Sequence, residues 1–285
     1  MQAKSAGFCY GVKRAVELSK EIKQKNPRKN VYILGELIHN AQAIQMLEEL
    51  GIKTVNEIPK DKNGICIIRT HGVSPEIIKQ IENSGCEVID ATCPDVKKVQ
   101  QKASELALDN YQVIIIGKAE HPEVIGIKAH ADSQNKLQAI VISTHEEVQE
   151  LKEILKESNK IGIVVQTTQK IELLNNILVE ITPFSKEIVL YNTICTATKN
   201  RQKEAIQLAQ NAELMIVAGG KNSANTTHLA EILENITKTI HIETADELNE
   251  YKDLLKKCQN IGITAGASTP KEIIDNIIKK IGENK

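Results

Sequence analysis

The sequence lacks several features that would place it in a special class of protein. Its 285 residues contain no apolar run of membrane-spanning length, and 36 Lys and Arg residues balance 37 Asp and Glu residues. The first absence excludes a membrane-spanning helix, and the balanced charge argues against a generic nucleic-acid-binding surface. Trp is absent and aromatic residues make up only 2% of the chain. Aliphatic side chains must therefore fill the core.

The six cysteines are not arranged in the short clusters typical of zinc ribbons, thioredoxin-like redox pairs or ferredoxins. The N-terminus has neither the apolar segment of a signal peptide nor the Arg- and Ser-rich pattern of a transit peptide, so we expect a cytoplasmic protein. Thiols stay reduced in that compartment, which argues against a disulfide framework. Any metal site shared by these cysteines must be assembled from distant segments.

A threefold repeat is the main positive feature. Cys9, Cys93 and Cys195 are each followed four residues later by Lys and stand at the start of a predicted helix. Each repeat also contains an apolar segment, typical of a buried strand, that leads through a Ser, Thr or His turn into an amphipathic helix, at residues 65–81, 161–178 and 261–278. Four strands per repeat is the natural count.

This alternation predicts an α/β protein of three similar small units with parallel sheets, arranged around a pseudo-threefold axis. The predicted boundaries are residues 10–92, 93–192 and 193–285. The third unit lacks a closing strand, and residues 1–9 stand where such a strand is expected. We therefore expect the N-terminal strand to complete the third unit.

Conspicuous polar residues follow the predicted strands. Ligands of parallel sheets bind beyond the carboxyl ends of the strands, so three units would direct these side chains towards one central cavity. Neutral donors together with helix N-termini can hold a small anion such as a diphosphate, although helix capping by the Ser and Asn residues is an alternative. The polar residues are His39, His71, His121, Glu123, Thr167, Ser223, Asn225 and Ser268.

The three repeated cysteines can serve as metal ligands. A helix N-terminus favours the thiolate over the thiol, and one thiolate from each unit makes a three-sulfur site. Soft thiolates suit an iron-sulfur cluster, zinc or Cu(I). Buried thiols without any metal are the alternative, and we interpret Cys66, Cys86 and Cys258 in that way because they lie outside the repeated position. If the site binds a reducible substrate, Glu123 is the carboxyl group expected to donate a proton.

Nine motifs, in order and over essentially the full chain, resemble the LytB/IspH family of hydroxymethylbutenyl diphosphate reductases. They are GFCYGVKRA, GELIHN, IRTHGV, DATCPDVKKV, GKAEHPEVIG, VVQTTQ, ICTATKNRQ, GGKNSANT and ITAGASTP. The resemblance implies three α/β domains around one [4Fe-4S] cluster per chain, held by Cys9, Cys93 and Cys195, with the fourth iron open to the hydroxyl group of the substrate.

The resemblance also implies the reaction, which is the last step of the non-mevalonate isoprenoid pathway. An allylic diphosphate, (E)-4-hydroxy-3-methylbut-2-enyl diphosphate, would take up two electrons and two protons and lose water, giving isopentenyl and dimethylallyl diphosphates. Electrons would come from a ferredoxin or flavodoxin, since the chain lacks a dinucleotide-binding fingerprint.

The resemblance further implies a role for each polar residue. Glu123 would be the proton source, Thr167 would orient the hydroxyl group, and His121 would lie near the phosphate end. The residues expected to bind the diphosphate are His39, His71, Ser223, Asn225 and Ser268.

The sequence departs from the family pattern at three positions. Ala224 stands where many members have a second serine, Thr70 replaces a commoner alanine, and Gln100 stands where a histidine is frequent. The first departure removes one hydroxyl contact to phosphate, so we expect a modest loss of substrate binding.

Two other functions compete with the reductase hypothesis. The three cysteines and a histidine would form a closed zinc site in a binding module, or the chain would be a phosphosugar- or nucleotide-binding protein whose cysteines are incidental. A closed zinc site would be colourless and redox-silent, and incidental cysteines would tolerate substitution.

Overall fold

The computed structural model describes residues 1–134 and 137–284, which form helices and parallel strands. The chain divides into two compact units, and each is continuous in space but not in sequence. Unit one comprises Met1–Glu21, Glu36–Ile52 and Thr196–Lys285, and unit two comprises Ile22–Gly35 and Lys53–Cys195.

Unit two contains two four-stranded sheets that share one strand order. The first sheet has the order β2-β1-β3-β4, with β1 (Val31–Leu34), β2 (Ile52–Val55), β3 (Ile65–Ile68) and β4 (Glu87–Asp90). The second has the order β6-β5-β7-β8, with β5 (Gln112–Ile116), β6 (Ile140–Ile142), β7 (Lys160–Val165) and β8 (Glu187–Tyr191). In both, the strand that leads to a repeated cysteine lies at the edge of the sheet.

Unit one contains the third sheet, of order β10-β9-β11, with β9 (Leu214–Ala218), β10 (Thr239–Ile242) and β11 (Ile261–Ala265). The N-terminal segment lies along the outer side of β11, where Gln2 forms a parallel bridge with Ile263. Ala3 N donates to Ile263 O at 2.9 Å, and Ile263 N donates to Met1 O at 2.9 Å. This segment occupies the place that β4 and β8 hold in the other two sheets.

The apolar strand sequences are explained by burial on both faces of the sheets. In β5, Val113 and Ile115 pack into one hydrophobic cluster, whereas Ile114 and Ile116 pack into another. Because successive side chains of a strand point to opposite faces, these two clusters lie on the two faces of the sheet. Helices cover both faces, as parallel sheets require.

Twelve α-helices connect the strands within the described residues. Proline is the first residue of α3, α4 and α5, where its missing N–H costs nothing and its fixed φ suits the helix. None of the described helices is long and apolar enough to cross a membrane. The helices are α1 (Tyr10–Lys25), α2 (Ala41–Glu49), α3 (Pro75–Ser84), α4 (Pro94–Leu108), α5 (Pro122–Asp132), α6 (Glu147–Glu150), α7 (Lys152–Glu157), α8 (Ile171–Ile181), α9 (Thr196–Ala209), α10 (Ala224–Glu234), α11 (Lys252–Lys257) and α12 (Lys271–Asn284).

The prediction of an α/β protein built on small parallel sheets is confirmed. The third sheet has three regular strands rather than four, because its fourth member is the single bridge at Gln2. Two parts of the predicted three-unit organisation stay predictions. One is the pair of boundaries at residues 92 and 192, and the other is the assignment of residues 1–9 to the third predicted unit.

Candidate functional site

Glu123 and Thr167 form a buried pair in unit two. Glu123 is the second residue of α5, which follows β5, and Thr167 follows β7. Because β5 and β7 are paired neighbours in a parallel sheet, their carboxyl ends lie side by side. Thr167 N donates to Glu123 Oε1 at 2.6 Å, and Thr167 Oγ1 donates to Glu123 Oε2 at 2.8 Å. The structure thus brings together two residues that the sequence placed in the site separately.

The burial and the raised pKa of the Glu123 carboxyl group suit it to proton transfer near neutral pH. Its side chain is only 2% exposed. The pKa of Glu123 is raised from 4.5 to about 7, because burial outweighs the two hydrogen bonds from Thr167, which lower it; the charge of Asp95 also raises it. A carboxyl group with a pKa near the operating pH can be both protonated before the reaction and a competent acid during it.

Removing the Thr167 hydroxyl should raise the pKa of Glu123 further. Thr167→Val keeps the backbone N–H bond to Oε1 but deletes the bond to Oε2. A hydrogen bond to a charged group contributes about 1.5 kcal/mol or more, so we expect a rise of about one pKa unit. The carboxyl stretch in infrared difference spectra, followed as a function of pH, measures this. Thr168→Val, at the neighbouring hydroxyl that accepts from Gln166 Nε2 at 3.2 Å, is the control. An unchanged titration in Thr167→Val would contradict the expectation.

Two histidines lie beside this pair in unit two. His121 is the N-cap of α5, and its Nδ1 accepts from Glu123 N at 3.2 Å. The rings of His71 and His121 are perpendicular to each other with their centroids 5.3 Å apart. His71 follows β3, so the structure joins polar residues from the ends of both sheets of unit two.

The remaining predicted polar residues lie in unit one. Ser268, which follows β11, donates from Oγ to the carbonyl group of His39 at 3.1 Å. His39 Nδ1 lies 2.9 Å from Glu36 Oε2. Ser223 and Asn225 are both buried at the start of α10.

Helix capping does not explain these serine and asparagine side chains. Ser223 is the N-cap of α10, but its hydroxyl makes no capping bond. Asn225 lies within the first turn, and its buried Nδ2 has no hydrogen-bond partner among the described residues. A buried donor without a partner is costly, and a bound anion would satisfy it. Ala224, the residue where the family often has serine, separates the two and is also buried.

The three repeated cysteines have the same local structure. Each precedes a helix, α1, α4 or α9, and each is partly buried. Each backbone N–H donates to a carbonyl group in the loop after the strand that neighbours the segment leading to that cysteine: Cys9 to Ala267 at 3.1 Å, Cys93 to Thr70 at 3.0 Å, and Cys195 to Thr167 at 3.0 Å. The structural equivalence matches the sequence repeat. By contrast, Cys66, Cys86 and Cys258 are buried in hydrophobic clusters, as expected for packing residues.

The sequence interpretation missed Gln166. Its side chain is fully buried, and its Oε1 accepts from Lys118 N at 3.1 Å, which ties the loop after β7 to the loop after β5. Gly117 permits this approach, since a Cβ atom there would lie 2.8 Å from Gln166 Oε1. Gln166 therefore helps to bring Thr167 against Glu123. The only sequence signal was an amide directly between a buried strand and a candidate site residue.

Comparison with known proteins relates these features to one family. A model of the LytB protein family matches residues 1–282. The chain is 43% identical over 279 residues to the 4-hydroxy-3-methylbut-2-enyl diphosphate reductase of Clostridioides difficile, covering 97% of this chain and 96% of that protein. It is 42% identical over 284 residues to the protein of the same name from Geobacter metallireducens, with coverages of 99% and 96%.

Solved structures give the same result. One is (E)-4-hydroxy-3-methyl-but-2-enyl diphosphate reductase, the terminal enzyme of the non-mevalonate pathway, with a TM-score of 0.75, 39% identity, and coverage of 99% of this chain and 98% of that one. Another is the E-1-hydroxy-2-methyl-but-2-enyl-4-diphosphate reductase of Plasmodium falciparum, with a TM-score of 0.87, 28% identity, and coverages of 98% and 86%. The prediction of an enzyme is confirmed, and similarity that runs along nearly the whole sequence and fold shows that the chain belongs to the LytB family.

Proposed function

We propose that this chain is a 4-hydroxy-3-methylbut-2-enyl diphosphate reductase. The reaction would replace the allylic hydroxyl group of (E)-4-hydroxy-3-methylbut-2-enyl diphosphate by hydrogen, consuming two electrons and two protons and releasing water, to give isopentenyl and dimethylallyl diphosphates. The observation that carries the proposal is the buried Glu123 carboxyl, with its pKa raised to about 7, held by Thr167 at the carboxyl ends of neighbouring strands. The membership in the LytB family supports the same reaction.

Cys9, Cys93 and Cys195 would hold a [4Fe-4S] cluster. The donor set fits such a group: the three thiols are partly buried, stand at equivalent helix starts, and form no disulfide within the described part of the chain. Soft thiolates are the ligands that iron-sulfur clusters require. When bound, a cluster with three protein ligands would pass electrons from the external donor to the substrate and would offer one iron position open to it. A reducing compartment such as the cytoplasm would keep all the thiols in the required state.

Glu123 would deliver a proton from its carboxyl group as the hydroxyl group leaves as water. Thr167 holds both carboxyl oxygens, so it fixes the direction in which that proton is presented. The same hydroxyl of Thr167 would orient the substrate. Burial excludes bulk water from the carboxyl group, and the raised pKa leaves a substantial fraction of the acid protonated near neutral pH.

The diphosphate would be held by neutral donors rather than by a set of lysines. His39 and Ser268 belong to unit one together with Ser223 and Asn225, and His71 and His121 belong to unit two. The unpartnered Asn225 Nδ2 is the clearest candidate for a phosphate contact, since a phosphate oxygen would satisfy it. A ferredoxin or flavodoxin would supply the electrons.

Anaerobic purification followed by iron and sulfide analysis, Mössbauer spectroscopy and a turnover assay with a reduced donor tests the proposal. We expect about four iron atoms per chain, one of which changes its Mössbauer signal when (E)-4-hydroxy-3-methylbut-2-enyl diphosphate is added. We also expect both isoprenyl diphosphates as products. A colourless chain that stays metal-free after anaerobic reconstitution, or that takes up only zinc, would contradict the proposal and favour a binding module.

A further inference from the structure

The third repeat differs from the other two in the charge of one buried residue. Six residues after the cysteine, the first two repeats have Ala15 and Val99, both fully buried. The third repeat has Arg201, which is only 2% exposed. Burying a guanidinium is costly unless hydrogen bonds compensate for the lost hydration. The exchange of an aliphatic side chain for a cation at this position therefore needs a reason.

The guanidinium of Arg201 is bonded to three backbone carbonyl groups of unit one. Nη1 donates to Ser5 O and, at 2.6 Å, to Ala265 O, while Nη2 donates to Gly7 O at 2.9 Å. Two of these carbonyls belong to the segment just before Cys9, and the third ends β11. Arg201 thus connects two parts of unit one: the segment that precedes Cys9, and the end of strand β11.

Glu204, almost one helical turn further along α9, binds the same segment. Its Oε1 accepts from Lys4 N at 2.5 Å and its Oε2 accepts from Ser5 N at 2.8 Å, and Oε2 also accepts from the Ser5 hydroxyl. Burial raises the pKa of this carboxyl, but the donors of Ser5 and Lys4 outweigh burial and hold the pKa below its ordinary value. Glu204 is therefore ionised at neutral pH. Within residues 4–7, Arg201 therefore binds backbone carbonyl groups and Glu204 binds backbone amide groups.

The weak pairing of the N-terminal segment explains why the third repeat has these contacts. In the first two repeats the chain reaches its cysteine from a regular edge strand, β4 or β8, with four or five paired residues. In the third repeat the corresponding segment forms one bridge, between Gln2 and Ile263. Residues 4–7 continue beyond this bridge, so side chains of α9 replace the missing backbone pairing.

We propose that Arg201 and Glu204 are positioning residues that fix residues 4–7 and so set the place of the Cys9 thiol as a cluster ligand. The inference rests on the proposed function for the role of Cys9. Cys9 N donates to Ala267 O, two residues after the carbonyl of Ala265 that Arg201 binds. The Cys9 backbone and the segment before it are therefore held to the same loop after β11.

Alkylation of the metal-free, full-length chain tests the proposal. Iodoacetamide labelling is followed residue by residue with mass spectrometry, using Cys93 and Cys195 as internal references. The variants are Arg201→Met, which restores an apolar residue as in the other repeats, and Glu204→Gln. We expect Cys9 to be alkylated about tenfold faster in Arg201→Met than in the wild type, because the hydrogen bonds from the charged guanidinium are lost. The increase in the rate should be smaller in Glu204→Gln. Arg201→Lys should fall between Arg201→Met and the wild type, since a single ammonium cannot reproduce the forked guanidinium.

The matched control is Lys203→Met, which removes a cation from an exposed position of the same helix. It should leave the labelling of all three cysteines unchanged. Equal Cys9 rates in the wild type, Arg201→Met and Glu204→Gln would overturn the proposal, as would a parallel rise at Cys93 and Cys195. If Arg201→Met does not fold by circular dichroism, Glu204→Gln decides the question. After anaerobic reconstitution, Arg201→Met and Glu204→Gln should each retain less iron than the wild type and than Lys203→Met.

The labelling result and the proposed function can fail separately. A wild-type chain that binds no cluster would contradict the proposed function, yet its Cys9 labelling would still show whether Arg201 and Glu204 hold residues 4–7. A wild-type chain with a full cluster and a Cys9 rate unaffected by either substitution would leave the function standing and reject the positioning role.

Discussion

Glu123→Gln is expected to lower turnover by about 10²–10⁴-fold while leaving the fold and the iron content unchanged. Gln has the size of a protonated Glu and can accept the same Thr167 N–H through its amide oxygen, but it has no acidic proton to donate. Substrate binding should persist, because the proposed phosphate contacts come from other residues. Steady-state turnover with reduced donor, together with iron analysis, measures both parts of the expectation.

The same substitution has a defined effect on stability as a function of pH. The pKa of a Glu side chain such as Glu123 is ordinarily 4.5, the value we take for the unfolded chain, and it is about 7 in the folded chain. Between these two values the folded chain holds a proton that the unfolded chain releases, so the free energy of unfolding falls as pH rises through this range. Gln does not titrate. The free energy of unfolding of Glu123→Gln, relative to the wild type, should therefore increase by about 3 kcal/mol from pH 4.5 to above pH 7.

Urea denaturation of the two metal-free chains across this pH range gives the difference directly, since other titrating groups are common to both. Glu120→Gln is the control, because Glu120 is an exposed carboxyl in the same loop. It should retain turnover at the wild-type level. Retained turnover in Glu123→Gln would show that another group donates the proton.

Local sequence patterns predicted the strands and the polar residues that follow them. The apolar runs around β5 and β9 are buried on both faces, which is why they lack the alternation of a half-exposed strand. Glu123 and Thr167 could be placed near each other because parallel neighbours carry their carboxyl ends to the same edge. The raised pKa of Glu123 could not be predicted, since it depends on burial by surrounding residues that no local pattern specifies.

Arg201 and Glu204 escaped prediction for a different reason. Apart from Ala265, their partners are Lys4, Ser5 and Gly7, which lie 194 to 200 residues earlier in the chain. These residues come close to α9 because residues 1–3 lie beside β11. In the sequence Arg201 and Glu204 read as ordinary polar positions of an amphipathic helix. The informative signal is the comparison between repeats, in which a buried cation replaces Ala15 and Val99. A departure from an internal repeat thus identifies a position where the third repeat is stabilised by different contacts.

Cys9→Ser, Cys93→Ser and Cys195→Ser should each strip or destabilise the cluster and abolish turnover. Serine keeps the shape of the side chain, but its hydroxyl is a hard ligand that stays protonated at neutral pH, whereas iron-sulfur clusters require soft thiolates. The three positions have the same local structure: each cysteine stands at the start of a helix, and its backbone N–H is hydrogen-bonded to the loop after the neighbouring strand. We therefore expect the three losses to be similar in size.

Iron and sulfide content, visible absorption and turnover of anaerobically purified protein measure these losses. Cys258→Ser is the matched control, since Cys258 packs in a hydrophobic cluster outside the repeated position. It should lose some stability but keep its cluster and its activity. Normal activity in any one of the three repeated-cysteine variants would reject the ligand assignment. Intact folding and ligand binding in Cys93→Ser, with a wild type that holds no metal, would instead favour a binding protein whose cysteines are incidental.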